Sequence, residues 1–279
     1  MKSKFSKITA LIITAIVTIG LAGCAKKDAN VPTSTAKAET KVDQIKKAGK
    51  IVLGTSPDYP PYEFIKEVDG KSTVVGFDVE IAKEIAKDLG VKLEIKEMDF
   101  KGLLGALQAG NVDFVLAGMT PDEERKQSVD FSNVYYTAVQ KVVVRAQDKD
   151  VLTSIEALKG KKVGVQKGAI QEEIAAKQLP DSEAKALGKI TDITLALQTK
   201  KVDAAIIEGP VANSYTNANK DLVVSSIALK TEDAGSAVAA KKGNKELIDE
   251  INKTLDRLAK DKAIDKFVTD AINLSETNK

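Results

Sequence analysis

Apolar positions divide the 279-residue chain into three stretches. Lys2, Lys4 and Lys7 precede the largely apolar run Ile8 to Leu21. A basic start before a short apolar run has the form of a signal peptide, and the run is short for a bilayer span. Ala25 to about Val42 is rich in Lys, Ala, Thr and Ser and has no apolar period, as expected of a flexible tether. From there strand-like and helix-like patterns alternate, and no later segment has the apolar length to cross a membrane.

Lys50 to Gly54 reads as a short buried strand before the turn-rich Ser56 to Pro61. In Asp78 to Leu89 the residues Ile81, Ala82, Ile85, Ala86 and Leu89 recur at helical spacing, and Gly90 suits the stop. Val91 to Ile95 alternates as a strand, Phe100 to Ala109 reads as a helix, and Val112 to Leu116 as a strand. Strands follow at Lys141–Arg145, Lys162–Gln166 and Val202–Ile207, with a short helix at Ile155–Lys159 and helices from about Ala169 and about Asp192. Leu247, Ile248, Ile251, Leu255 and Leu258 form the core stripe of a longer helix. The alternation predicts an α/β architecture with mostly parallel sheets. Ala106-Leu107-Gln108 before Val112-Asp113 recurs as Ala196-Leu197-Gln198 before Val202-Asp203. Either chance or two lobes of similar build accounts for so short a match. In the second case each lobe offers the carboxyl end of a sheet, at Gly118 and Glu208, to a shared cleft.

Composition narrows the chemistry. There is no histidine, which removes His triads, His general bases and most zinc and iron sites. The single cysteine, Cys24, leaves no intramolecular disulfide and no CxxC pair. A net charge of +2 argues against a nucleic-acid binder, and no phosphate-binding GxxxxGK[ST] loop occurs. No cofactor is called for. The arginines are Arg125, Arg145 and Arg257 in a chain otherwise supplied with lysine, and a position that keeps arginine can need its planar fork.

Leu21-Ala22-Gly23-Cys24 has the form of a bacterial lipobox. It implies cleavage before Cys24, a diacylglycerol thioether on its thiol and anchoring by more than one acyl chain. A plain secretory signal or a short anchor, with a chance cysteine, is the alternative. In Gly118 to Arg125, Thr120 followed by Glu123 is a capping-box pattern with Pro121 at the first helical position. Beyond a well-capped helix, such an end can bind an anion, and Arg125 can grip a carboxylate with two N–H groups. From spacing alone, a surface ion pair with Asp122 or Glu124 is an equal reading.

Three stretches together resemble the solute-binding proteins of polar amino-acid ABC importers, which are extracellular solute-binding proteins of family 3 with the type 2 periplasmic-binding-protein-like fold. They are Gly54 to Phe64 (GTSPDYPPYEF), Gly76 to Ala82 (GFDVEIA), and Gly118 to Arg125 followed by Val129-Asp130-Phe131-Ser132. The resemblance implies two α/β lobes, two hinge strands near Thr137-Ala138 and Thr231 to Ala234, and a ligand in the interlobe cleft. It implies residues 1–23 as signal peptide, 24–42 as lipidated cysteine and tether, 43–138 with 231–279 as lobe 1, and 139–230 as lobe 2.

By position, the resemblance assigns Arg125 and Thr120 to the ligand's α-carboxylate, and the Gly118 carbonyl and Glu208 to its α-amine. Glu208 stands where relatives usually have Asp; a solvated loop carboxylate is its alternative. Tyr59 and Phe100 fall where relatives sandwich the ligand side chain. Ala169 and Ile170 replace the usual threonines, which leaves backbone N–H groups to help, and Gln166 can reach the side chain; Gln171 is less certain. Ser56 stands where relatives selective for cationic or amide side chains often have an acid, while Asp58 and Glu63 are nearby acids that can be purely structural. The implied ligand is a free polar L-amino acid, arginine or lysine ahead of glutamine. The implied partners are a membrane permease and its ATPase, with the chain a monomer anchored outside the cytoplasmic membrane. The rival readings are an enzyme on the same fold, of the cyclic-acid dehydratase or cell-wall lytic type, and a surface adhesin or sensor.

Overall fold

The computed structural model describes residues 39–230 and 235–277. Cys24, the signal segment and the second hinge stretch Thr231 to Ala234 lie outside the described residues. Among the described residues, no helix is long and apolar enough to cross a membrane.

The body opens with helix α1 (Lys41–Ala48), which takes in the last two positions of the expected tether. Thr40 and Asp43 cap it reciprocally, each side chain accepting the other's backbone N–H at 3.1 Å. Strand β1 (Lys50–Thr55) follows, then a small antiparallel sheet of β2 (Asp58–Tyr59), β3 (Glu63–Val68) and β4 (Lys71–Val75). Next come α2 (Phe77–Leu89), β5 (Lys92–Glu97), α3 (Leu103–Gln108), β6 (Phe114–Val115), α4 (Glu123–Ser128) and β7 (Val129–Tyr136). The second half holds β8 (Gln140–Arg145), β9 (Lys162–Gln166), α5 (Ile170–Gln178), β10 (Glu183–Leu187), α6 (Ile190–Gln198), β11 (Ala204–Glu208), α7 (Gly209–Ala218) and β12 (Leu222–Val224). The chain then returns through β13 (Ser236–Lys241), α8 (Lys245–Lys260) and α9 (Ala263–Glu276).

Two five-stranded sheets result, ordered β5-β1-β6-β13-β7 and β10-β9-β11-β8-β12. The chain passes from the first sheet to the second between Tyr136 and Gln140, where Thr137-Ala138 lies, and returns between Val224 and Ser236. The expectation of mostly parallel sheets needs correction. In each sheet three strands are parallel and the other two pairings are antiparallel. The antiparallel pairings involve β13, β7, β8 and β12, the strands on either side of the two crossings. The predicted helix Phe100–Ala109 is a 3₁₀ turn at Phe100–Gly102 followed by α3, and the strand expected over Val112–Leu116 is only β6.

The internal echo has a geometric counterpart. Asp113 takes the Val52 N–H at 2.8 Å with its side chain and gives its own N–H to the Val52 carbonyl at 2.8 Å. Asp203 does the same with Lys162, at 2.9 and 2.7 Å. Each aspartate thus ties the start of its strand, β6 or β11, to the neighbouring parallel strand, β1 or β9. Side chains also pack closely against a strand glycine in each half. A Cβ added to Gly54 in β1 would stand 3.2 Å from Val112, and one added to Gly164 in β9 would stand 2.9 Å from Ile193.

Candidate ligand-binding site

The carboxyl ends of β6 and β11 meet a ring of charged and aromatic side chains around a cavity of about 10 Å³. Its lining includes Tyr59, Phe100, Gly118, Thr120, Arg125, Gln166, Ala169, Ile170 and Glu208 from the predicted set, together with Ala117 and Gln171. Ser56 is outside the lining: it is buried and its hydroxyl donates to Asp58 at 3.0 Å. A much larger hollow of about 840 Å³ opens near Pro57, Phe64 and Tyr215. No buried cation faces an acid there, so the chemistry converges on the smaller cavity.

Arg125 sits in the first turn of α4. The N-cap of that helix is Asp122, whose carboxylate takes the Arg125 N–H at 2.8 Å. The predicted cap at Thr120 with Pro121 in the first turn is therefore displaced by two residues, because Asp122 itself supplies the acceptor. Thr120 contributes its carbonyl instead, accepting from Arg125 Nη1 at 2.8 Å. Arg125 Nε lies 3.2 Å from Asp122, Nη2 donates to the Gly168 carbonyl at 3.0 Å, and the guanidinium carbon stands 5.5 Å over the Phe100 ring. Phe100 thus turns a face to Arg125, a cation–π contact, beside its place in the lining. Burial pulls the guanidinium below its ordinary range, an effect opposed by Asp122. It stays charged at neutral pH.

Glu208 ends β11 in the other half and is 5% exposed. Tyr59 donates to one of its oxygens at 3.1 Å and Tyr62 to the other. Burial pushes its pKa up to about 7, against the two tyrosine hydrogen bonds, which lower it. Gly118 has φ +54, and a Cβ there would stand 3.0 Å from the Tyr59 ring, so the position favours glycine twice over. Its N–H donates to Asp78 at 3.0 Å, and Tyr135 donates to the same oxygen at 2.9 Å.

Behind this turn lie two fully buried acids, Glu63 and Asp78. Among the described residues, both Glu63 oxygens and one Asp78 oxygen lack a partner if both groups are ionised. A proton on Glu63, donated to Asp78, resolves the conflict. Burial first and Asp78 second hold the Glu63 pKa well above the carboxylate range, while burial raises Asp78 to about 6. In the second half, Gln166 and Gln171 are each 2% exposed. Among the described residues, Gln166 Nε2 and Gln171 Oε1 have no partner, whereas Gln171 Nε2 donates to Gln140 at 2.9 Å. The cavity therefore presents a guanidinium, a carboxylate, an aromatic face and two amides.

Tyr62, Asp78 and Ala117 were not singled out by sequence reasoning. Tyr62 and Asp78 fall inside two of the quoted motifs, and the scarcity of aromatics was a usable signal for the tyrosine. Asp78 looks like any first-turn helical acid until α2 is packed.

Residues 51–271 match the profile of the bacterial extracellular solute-binding proteins, family 3. The chain belongs to that family. It is 40% identical over 260 residues to the arginine-binding extracellular protein ArtP of Bacillus subtilis, covering 92% of this chain and 94% of that one. It is 31% identical to the glutamine-binding protein GlnH of the same organism's ABC transporter, covering 96% of each. Among solved structures, the amino-acid ABC transporter substrate-binding protein AbpA of Streptococcus pneumoniae, bound to L-arginine, superposes with a TM-score of 0.82. Its sequence identity is 39%, with 85% of this chain and 100% of that chain covered. An ancestral amino-acid-binding protein described as a precursor of cyclohexadienyl dehydratase superposes at 0.76 with 33% identity, over 84% of this chain and 100% of that one. The family member described here is thus a two-lobed, extracytoplasmic solute-binding protein.

Proposed function

We propose that this solute-binding protein captures a free polar L-amino acid, arginine before lysine and glutamine, and delivers it to an ABC permease. One observation carries the reading: Arg125 and Glu208, which belong to different halves of the chain, line a single cavity. A free α-amino acid has the complementary pair of charges, and each would otherwise cost several kcal/mol to bury alone. In this reading Arg125 takes the α-carboxylate with help from Thr120 and the first N–H groups of α5 at Ala169 and Ile170. Glu208 and the Gly118 carbonyl take the α-ammonium. Tyr59 and Phe100 flank the side chain, and Gln166 meets its polar end. Ser56 acts at one remove, through Asp58. The arginine-bound relatives support the choice of substrate.

Lobe 1 is residues 43–138 with 231–279 and lobe 2 is 139–230. They close about the crossings near Thr137-Ala138 and Thr231 to Ala234. The chain acts as a monomer held outside the cytoplasmic membrane by lipid on Cys24, so replacing Cys24 should release it from membranes. Calorimetry against the twenty amino acids tests the substrate assignment. Binding at micromolar or tighter affinity without turnover is expected, and Arg125→Ala should abolish it; unchanged affinity would remove Arg125 from the site.

A second reading is favoured by one feature. A buried carboxyl with a pKa of about 7 in a cleft is suited to general acid catalysis. Turnover of a cyclic acid by the wild-type chain, lost in Glu208→Gln, would decide for an enzyme.

A further inference from the structure

Strand β2 is only two residues long, yet both of its residues bond across to the second half. Successive side chains on a strand point to opposite faces. Tyr59 points into the cavity and donates to Glu208 at the end of β11. Asp58 points the other way. Its carboxylate accepts the N–H of Ile190, the first residue of α6, at 2.5 Å, and is steadied by the Ser56 hydroxyl at 3.0 Å. Its carbonyl accepts the Tyr215 hydroxyl of α7 at 2.9 Å. Asp58 is 9% exposed, and both bonds run to second-half helices. It borders the 840 Å³ hollow and is absent from the lining of the ligand cavity.

From this geometry we infer that Asp58 is an interlobe latch: by holding α6 and α7 against β2 it stabilises the closed arrangement and sets how slowly a captured ligand leaves. The inference rests on the proposed capture of an amino acid between lobes. Its physical basis is that a charge-assisted bond to a helix N-terminus, made between the halves, exists only when they are together. Encounter involves the open form, so the latch acts after binding. Its loss should appear in the dissociation rate and leave association nearly unchanged.

The test uses the mature chain with Asp58→Ala, Asp58→Asn and Tyr215→Phe, and L-arginine as the probe. The chain has no tryptophan, so stopped-flow tyrosine fluorescence can follow Tyr59 and Tyr62. Small-angle scattering without ligand reports the balance of open and closed forms. Asp58→Ala should raise the dissociation rate about tenfold or more. Its association rate should stay within about twofold and its ligand-free radius of gyration should grow. Tyr215→Phe should give a smaller change in the same direction, and with Asp58→Asn it carries the test if the alanine variant does not fold. Unchanged dissociation and scattering would overturn the latch. So would a slower association with unchanged dissociation, which would place Asp58 in ligand encounter. If the wild-type chain binds none of the twenty amino acids, the capture reading fails. Scattering then decides the latch alone: a larger Asp58→Ala particle keeps it and an identical one removes it.

Discussion

On the proposed pairing of Glu208 with the ligand's ammonium group, ligand affinity should depend on pH, and the slope can be worked from the surroundings of Glu208. Burial at the end of β11 raises its pKa to about 7, although two tyrosine hydroxyls already stabilise the carboxylate. Only the ionised form pairs with an ammonium group, so binding a zwitterion requires the proton to leave. Affinity should therefore be full above pH 8 and fall by about one decade per unit below 7. At pH 5.5 only about 3% of Glu208 would be ionised in the free protein, which weakens binding by about 30-fold. Arg125 stays charged throughout the window. Asp78, raised to about 6, serves Gly118 and Tyr135, and its titration begins about a unit lower. Calorimetry with L-arginine from pH 8 to 5.5, in buffers of differing ionisation enthalpy, gives both the affinity and the number of protons released. Glu208→Gln should bind weakly and lose the decline between pH 8 and 6.5. A wild-type affinity that is flat over the whole range, or a decline that survives Glu208→Gln, would refute the assignment of Glu208 to the ammonium.

Three further outcomes concern the fold. Glu63 has a folded-state pKa above its unfolded value, so its contribution to stability is present at low pH and lost as pH rises through the folded value. Glu63→Gln keeps a donor for Asp78 without an ionisable proton, and it should stabilise the ligand-free chain by roughly 1–3 kcal/mol at pH 8 and little at pH 4.5, read by thermal unfolding at both. Gly164→Ala would put a methyl group 2.9 Å from Ile193 and should cost about 1–3 kcal/mol in urea unfolding, whereas a neutral result would mean that α6 shifts freely on its sheet. Leu107→Ala, at a fully buried position of α3, should cost about 2–5 kcal/mol by the same measurement.

Local rules made much of this protein legible in the sequence. The helical spacing through Ile81, Ile85 and Leu89 and the stop at Gly90 correspond to α2, which ends on a left-handed glycine with φ +74. The short match at Asp113 and Asp203 marks the same tie between parallel strands in both halves. Arg125 could be singled out because a chain that otherwise uses lysine keeps a planar fork near a helix start. The helix and the planar fork involve neighbours within a few residues, where spacing alone settles who meets whom, whereas the strand ties span 61 and 41 positions and only their repeated pattern is local.

What the sequence could not decide depends on partners far apart along the chain. One local reading also needed correction: the cap of α4 is Asp122, whose carboxylate takes the Arg125 N–H, rather than Thr120 two residues earlier. The face of Phe100 met Arg125 only once the 3₁₀ turn had packed beside α4. Glu63 and Asp78 are unremarkable acids until burial removes water from both and leaves one proton between them. Asp58 and Ile190 come from different halves, and their bond exists only where the halves meet. Hydrophobic period and turn chemistry are properties of a short segment and can be read from it. The protonation of a buried acid and the bond across a cleft depend on what the rest of the chain places around them, so the tertiary structure alone decides them.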